Sequence, residues 1–355
     1  MNLENIGYNT DLSNAFEALG LKDAVPGRVV WQSAYSYRVL CEHGEMDAEP
    51  VGKIKAAQIP AVGDWVAVRQ PDKDGMGSIL AILPRKSAFS RNAAGKTVHE
   101  QVVASNIDEV LIITDLDQDF NLRRIERYIT LVYNSGAGPV VVLNKTDLAE
   151  DVEAVIARTE AVSPGIPVYA VSAEEGVGID QLEKHLGPGR TLAFLGSSGV
   201  GKSTIINRLL GVDRLEVGEV READGKGRHT TTHRELVILP GGGAVIDTPG
   251  MREIQVWGNE EGLTDAFPEI DDLASACRFR DCRHDSELGC AVREALETGL
   301  LDDGRFQSYM KLRAEFENLG RRRSQQARLE EKREGKRFAK MVREVNRYNP
   351  KRKKP

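Results

Sequence analysis

No long hydrophobic run occurs in this chain. Its richest apolar stretches, VLII (110–113) and VVVL (140–143), fall far short of the ~20 residues that a membrane-crossing helix requires, so no membrane partner is expected. The opening MNLENIGYNTDLSNAFEALG lacks both a basic start and an apolar core. It therefore offers no secretory signal, and the cytoplasm is the expected compartment. Cysteine is sparse, with 4 in 355 residues, which argues against a disulfide scaffold. Basic charge is missing from most of the chain: the first 320 residues hold 33 Lys and Arg against 50 Asp and Glu, whereas residues 321–355 hold 15 against 4. A basic end on an acidic body suits a polyanion, because cations that neutralise phosphates release counterions. No internal repeat is visible.

What is present reads as several modules, since 355 residues exceed one ordinary core. From Gly27 to Leu83, short strands are expected in RVVW, YSYRVL, DWVAV and SILAIL, separated by turn residues in VGD and PDKDGMG. That spacing suits a five-stranded oligonucleotide-binding barrel. Trp31, Tyr35, Tyr37 and Trp65 can stack bases, but in so small a barrel they read first as core, as does Cys41. After the polar stretch RNAAGKTVHEQ, taken as a connector, strands and helices alternate. The strands are EVLIITDL, PVVVLN, PVYAVSA and TLAFLG, and the helices NLRRIERYITLVYNSG, IDQLEKHLG and KSTIINRLLG, followed by a hairpin ELVILPGGGAVIDTPG. This alternation predicts a mostly parallel sheet covered on both faces. Beyond Trp257 strand signals cease and a helical end begins, with RRRSQQARLEEKREGKRFAKMVREV helical and NPKRKKP loose. The expected boundaries are 1–88 for the N-terminal segment and barrel, 89–258 for the α/β domain, 259–345 for a mostly α zinc domain and 346–355 for a basic tail.

GSSGVGKS (196–203) follows a strand and opens a helix, the setting that a phosphate-binding loop needs. Gly196, Gly199 and Gly201 let backbone N–H groups turn toward phosphate oxygens, and the helix N-terminus adds positive potential. Lys202 reaches the β- and γ-phosphates, and Ser203 offers its hydroxyl to Mg²⁺. DTPG puts Asp247 at a strand's carboxyl end, where it can hold magnesium through water, with the Gly250 N–H near a γ-phosphate. Between these motifs GKGRHTTTHREL supplies Thr230, Thr231 and Thr232, one of whose hydroxyls can complete the magnesium shell as a switch. NKTD (144–147) ends another strand and points to the same sheet edge. Asp147 can accept from guanine N1–H and N2–H₂, a pattern adenine lacks. Lys145 can lie along the base, Asn144 can tie this loop to the phosphate loop, and Ala173 in VSAEEG can offer its N–H to guanine O6. The nucleotide set is therefore Asn144, Lys145, Thr146 and Asp147, then Ser172 and Ala173, then Gly196, Ser197, Ser198, Gly199, Val200, Gly201, Lys202, Ser203 and Thr204, with Asp247 and Gly250.

NKTD stands ahead of GSSGVGKS, the reverse of the usual order in GTP-binding chains. Topology resolves the inversion: joining old termini within HLGPGRTLAF and opening the chain after DTPG rotates the order but keeps the pocket. The segment after Gly250 then runs directly into the C-terminal domain, so nucleotide state can reposition that domain. Met251 stands where many GTPases carry a water-orienting glutamine, and a thioether cannot position water. Slow intrinsic turnover is expected, with His229 the candidate to assist it and His233 less well placed. Cys277, Cys282, His284 and Cys290 form C-x4-C-x-H-x5-C, a set suited to one structural zinc with no open position for catalysis. Folding of that domain should require the metal.

On these residues the chain resembles, over nearly its whole length, the ribosome-small-subunit-dependent GTPase A family of bacteria. The shared features are the N-terminal oligonucleotide-binding barrel, the circularly permuted P-loop GTPase, GRHTTT and CxxxxCxHxxxxxC. The resemblance implies a multidomain fold and hydrolysis of GTP to GDP and phosphate, stimulated by the small (30S) ribosomal subunit. It further implies a late maturation role with 16S rRNA as partner, and a monomer is expected. It also implies Thr231 as the switch ligand that completes the magnesium shell with Ser203, and His229 as the residue assisting hydrolysis beside Lys202. Gly199 stands where certain related permuted GTPases carry an asparagine associated with potassium activation, so no potassium dependence is expected. Two other functions compete: an RNA-binding assembly module using GTP only as a conformational ligand, and a GTPase acting on a protein or a tRNA.

Overall fold

The computed structural model describes residues 2–33, 36–52, 59–71, 75–92, 100–117, 120–211, 234–247 and 260–348. After α1 (Thr10–Glu17), capped by the Asn9 side chain, come β1 (Val25–Gln32), β2 (Tyr37–Cys41), β3 (Gly44–Pro50), β4 (Trp65–Arg69) and β5 (Gly77–Ile82). They pair in the order β1-β2-β3-β5-β4 and close through a β1–β4 ladder, with only β3–β5 parallel. This is the expected five-stranded barrel. Alternate residues point inward, so Val29, Val39, Val66, Val68 and Ile79 fill the interior with Tyr37 and Cys41. Trp65 is also core, packed against Tyr8 at 5.0 Å between ring centres. Trp31 is half-buried beneath the Arg38 guanidinium, and Tyr35 lies outside the described residues.

The stretch expected as a plain connector instead contributes a hairpin, β6 (Ala88–Asn92) and β7 (Glu100–Ser105). Phe89, Val103 and Ala104 are buried there. The polar stretch between the two strands hides their pattern in the sequence, and residues 93–99 of it lie outside the described residues.

The parallel sheet contains β8 (Glu109–Asp115), β9 (Gly138–Asn144), β10 (Val168–Ala170), β11 (Thr191–Leu195) and β13 (Ala244–Asp247), with β12 (Arg234–Ile238) antiparallel beside β13. Its order is β10-β9-β8-β11-β13-β12. In β8, Val110 and Ile112 enter one core while Leu111 and Ile113 enter the other. A strand buried on both faces reads as an unbroken apolar run, and each such side chain contributes roughly 1.5–3 kcal/mol by burial.

The connecting helices are α2 (Leu122–Ser135), α3 (Val152–Val162), α4 (Asp180–Glu183) and α5 (Lys202–Leu210). Asn121 starts α2 by accepting the Arg123 and Arg124 N–H groups, and Gly136 ends it at φ 85°. The helix expected in IDQLEKHLG shrinks to the four residues of α4, because the following turn tightens to i→i+3 bonds at His185 and Leu186.

Barrel and parallel sheet are one continuous surface, since β12 also pairs with β1, Trp31 opposite Glu235 and Gln32 opposite Arg234. Arg28 of β1 strengthens the join. Its guanidinium donates to the Gly63 and Asn106 carbonyls, to Thr191 Oγ1 at 2.9 Å and to the Ile6 carbonyl. Burial lowers its pKa to about 10, against the opposing pull of Asp108 and Asp64.

The C-terminal end holds α6 (Glu261–Ala266), α7 (Pro268–Ser275), α8 (Ala291–Glu297) and α9 (Asp303–Tyr348). Phe267, Leu312 and Phe316 join the core beneath α2. Arg305 clamps the contact, donating to Glu126, to the Val162 and Ala266 carbonyls and to Glu269, with its guanidinium 4.5 Å from the Phe267 ring centre. The 46 residues of α9 span roughly 70 Å at the usual helical rise. From Glu317 onward its described side chains are exposed or half-buried. NPKRKKP lies outside the described residues. Among the described residues, no helix is long and apolar enough to cross a membrane.

Candidate functional site

The carboxyl ends of β9 and β11 bring NKTD and GSSGVGKS together despite their separation in the chain. Asn144, at the tip of β9 and 2% exposed, is the joint. Its Nδ2 donates to the Val200 carbonyl at 2.8 Å, and its Oδ1 accepts the Ala173 N–H at 3.0 Å. One amide thus links three loops. The Ala173 N–H, expected to face guanine O6, is engaged by Asn144 instead.

Lys145 follows in the left-handed region at φ 62° and pairs through Nζ with Asp115 Oδ2 at 2.7 Å. For a residue with a Cβ this conformation costs roughly 1–2 kcal/mol, which the fixed ion pair helps to offset. Thr146 donates its N–H to the Val171 carbonyl. Asp147 lies in a short 3-10 turn (Thr146–Leu148), exposed, with Oδ1 accepting the Ser172 hydroxyl at 2.5 Å. That bond orients the carboxylate and leaves its outer edge toward solvent. Arg208 of α5 pins the Ser172–Ala173 loop by donating to the Ala173 and Glu174 carbonyls.

At the phosphate end, β11 gives way to a loop that the glycines permit. Gly196 has φ 155°, and a Cβ there would lie 2.2 Å from the Ile113 carbonyl oxygen. Gly201 has φ 90°, and its Cβ would lie 2.2 Å from Asn144 Nδ2. Gly201 caps α5 without a side-chain bond, and Ser203 and Thr204 stand half-buried in the first turn of that helix. Lys202 Nζ donates to the Gly196 carbonyl at 2.8 Å and to that of Ser197. Ser197 Oγ in turn accepts from Arg124 Nη1 at 2.8 Å. Asp247 ends β13, which runs parallel to β11, so its backbone reaches the same edge. His229, Thr230, Thr231, Thr232, His233, Gly250 and Met251 lie outside the described residues.

Three residues at this edge went unread in the sequence: Asp115, Arg124 and Arg208. Asp115 alone had a usable signal, since it ends β8 in direct register with Asn144.

The second cluster is Cys277, Cys282, His284 and Cys290, whose ligand atoms all lie within 4.8 Å of one another. Cys277 Sγ lies 3.9 Å from Cys290 Sγ and 3.7 Å from His284 Nδ1, which is 3.5 Å from Cys290 Sγ. A tetrahedral ion with bonds near 2.0–2.3 Å separates its ligands by roughly 3.5–3.8 Å, so these residues can hold one metal. Burial, and then Arg313, lower the His284 pKa and favour the neutral imidazole that ligates. Burial pushes the Cys277 thiol up, but hydrogen bonding, led by the Val292 and Ala291 N–H groups, brings its pKa below the ordinary value. Glu287 braces the loop by accepting from the Arg283, Asp285 and Ser286 N–H groups, which hold its pKa to about 2.

The pattern of the RsgA GTPase family matches residues 82–257. The chain is 47% identical over 336 residues to the small ribosomal subunit biogenesis GTPase RsgA of Opitutus terrae, covering 91% of this chain and 92% of that protein. It is 45% identical over 328 residues to the protein of the same name from Syntrophotalea carbinolica, covering 89% and 90%. Among solved structures it is similar to YjeQ from Thermotoga maritima, with TM-score 0.63 and 29% identity over 82% of this chain and 98% of that one. YloQ, described as a circularly permuted GTPase, shares the fold with TM-score 0.59 and 24% identity, over 84% of this chain and 96% of that one.

Proposed function

Because the chain belongs to the RsgA GTPase family, we propose that it binds the small ribosomal subunit late in maturation, hydrolyses GTP to GDP and phosphate faster there, and then leaves. The observation that carries this reading is the Asn144 joint, which builds one pocket from the two halves of a permuted chain. Asp147, oriented by Ser172, accepts guanine N1–H and N2–H₂, and Lys145, held by Asp115, flanks the base. Lys202 leaves its loop carbonyls for β- and γ-phosphate oxygens, which the N-terminus of α5 meets with N–H groups. Ser203 and Thr231 would hold Mg²⁺, with Asp247 behind them, and the ion would supply neutralising charge at the transferred phosphoryl group. The Gly250 N–H senses the γ-phosphate and His229 orients water. Zinc suits the Cys277, Cys282, His284 and Cys290 set as a structural ion.

The proposed RNA partner is 16S rRNA, and the C-terminal domain offers a surface for it. Arg283 faces Arg321, Arg328 and Lys332 of α9 across a cleft of about 760 Å³, with Glu317 the one carboxylate among its described lining residues. Such a groove suits a phosphodiester backbone. The protein acts as a cytoplasmic monomer with domain boundaries near residues 88, 258 and 345.

Steady-state GTP hydrolysis with and without purified small subunits tests the reading. A rise of about tenfold or more, equal to ~1.4 kcal/mol of barrier, that Lys202→Ala abolishes is the expected result. An unstimulated rate would sink it. If Lys202→Ala removes stimulated hydrolysis yet leaves dissociation from the subunit unchanged, the nucleotide is only a ligand.

A further inference from the structure

The first two turns of α2 face two ways. Arg124 reaches the phosphate loop, its Nη1 donating to Ser197 Oγ at 2.8 Å. Ser197 is also one of the two residues whose carbonyls receive Lys202 Nζ. The neighbouring charges face the C-terminal domain. Arg123 Nη2 meets Asp302 Oδ1 at 2.9 Å, Glu126 Oε1 accepts from Arg305 Nη1 at 3.1 Å, and Arg127 Nη1 meets both oxygens of Glu315 at 2.7 and 2.9 Å. Glu126 is 1% exposed, so that seat is a desolvated contact rather than a passing surface pair.

We propose that Arg124 is a positioning residue for GTP hydrolysis: it holds the phosphate loop at Ser197 from a helix whose own placement the C-terminal domain sets. The proposal rests on the GTPase reading above and goes beyond it by assigning a residue that no nucleotide motif contains. The physical case has three parts. The loop from Gly196 to Gly201 has no regular secondary structure, so individual hydrogen bonds fix it. Arginine is charged at every working pH, and a charge-assisted bond from it is stronger than one between neutral groups. Phosphoryl transfer depends on placement, and a 1 Å misplacement can cost about 10²-fold. Because the same two helical turns are pinned to Asp302, Arg305 and Glu315, a partner that shifts the C-terminal domain acts on Ser197 through a rigid element.

The test uses the full-length protein with Arg124→Ala, Arg124→Lys, Ser197→Ala and the double variant Arg124→Ala/Ser197→Ala. Each is assayed for GTP hydrolysis with and without small subunits. Arg124→Ala should lower the stimulated kcat about tenfold or more while KM for GTP stays within about threefold, the split expected when transition-state placement is lost. Arg124→Lys should recover part of the rate, Ser197→Ala should match Arg124→Ala, and the double variant should lose no more than either. Glu315→Arg, remote from the nucleotide, should lower the stimulated rate, and adding Arg127→Glu should restore it. An unchanged kcat for Arg124→Ala, an effect confined to KM, an additive double variant, or a reversed pair that restores nothing would each overturn the proposal. If wild-type protein is not stimulated but Arg124→Ala still lowers the intrinsic kcat, the subunit reading fails and the role of Arg124 stands. If wild-type protein is stimulated and Arg124→Ala behaves like it, the proposal alone fails.

Discussion

Replacing Asn144 by alanine probes the joint on which the nucleotide pocket depends. The side chain is 2% exposed, accepts the Ala173 N–H at 3.0 Å and donates to the Val200 carbonyl at 2.8 Å. Alanine removes both bonds and leaves a backbone donor and a backbone acceptor unpaired beneath the pocket. Each orphaned group costs ~1–3 kcal/mol, so the two together cost about 2–6 kcal/mol before the loops relax. A net of ~3 kcal/mol expressed in nucleotide affinity is a loss of roughly 150-fold. Titration with a fluorescent GDP analogue measures this, and a thermal melt of the same sample separates lost binding from lost fold. Asn144→Asp is the sharper control. It keeps an acceptor for Ala173 but sets a carboxylate oxygen against the Val200 carbonyl, so it should bind no better than the alanine variant. The reasoning fails if Asn144→Ala binds GDP within about threefold of wild type, or if the aspartate variant binds more tightly than the alanine one.

Arg305→Met strands Glu126, one of whose oxygens already lacks a partner and whose other bond goes to Arg123. Breaking a buried pair costs ~3–5 kcal/mol, and the surviving arginine places this case at the lower end. Adding Glu126→Gln should recover about half of that, followed by hydrogen exchange at α2 and α9; a loss under ~1 kcal/mol would remove the network from the interface. A chelator at neutral pH should release protection in residues 277–290 and at the Val292 and Ala295 amides while the parallel sheet stays protected; unchanged exchange there would deny the cluster a structural metal. Asp302 accepts the Arg305 N–H at 2.7 Å, and this bond, with Arg123 assisting, outweighs burial and depresses its carboxyl pKa. Its contribution is present above the ordinary value of 3.8 and is lost as pH falls through the lower folded value, so the stability gap between wild type and Asp302→Ala should close in that acidic window. A gap constant across an acid titration would contradict this.

The strand, glycine loop and helix around residues 191–210 were legible because their pattern is local. The glycine spacing of residues 196–201, the lysine after it and the strand before it are all encoded within a dozen residues. The same holds for α2, whose Asn121 and Gly136 caps bracket a helical period, and for Cys277, Cys282, His284 and Cys290, whose spacing already marked them as a set that could hold a metal. The strand pair β6–β7 was not legible, because the polar sequence between them hid two short strands. The Ala173 N–H was given to the base because nothing local shows that Asn144 already occupies it.

The linear order of motifs was enough to expect a permuted GTPase fold, since which motif ends which strand survives any choice of termini. It also sufficed for a loop of residues that could hold a metal and for a basic end, which depend on residue type and spacing. Only the folded chain could choose partners for its charges. Arg124 meets Ser197, 73 positions away, Arg127 meets Glu315 across 188, and Arg28 meets Thr191 across 163. With 48 cationic and 54 acidic side chains, the sequence permits thousands of pairings. Helix placement and burial select among them, because a desolvated charge persists only where the tertiary structure brings a partner within hydrogen-bonding distance.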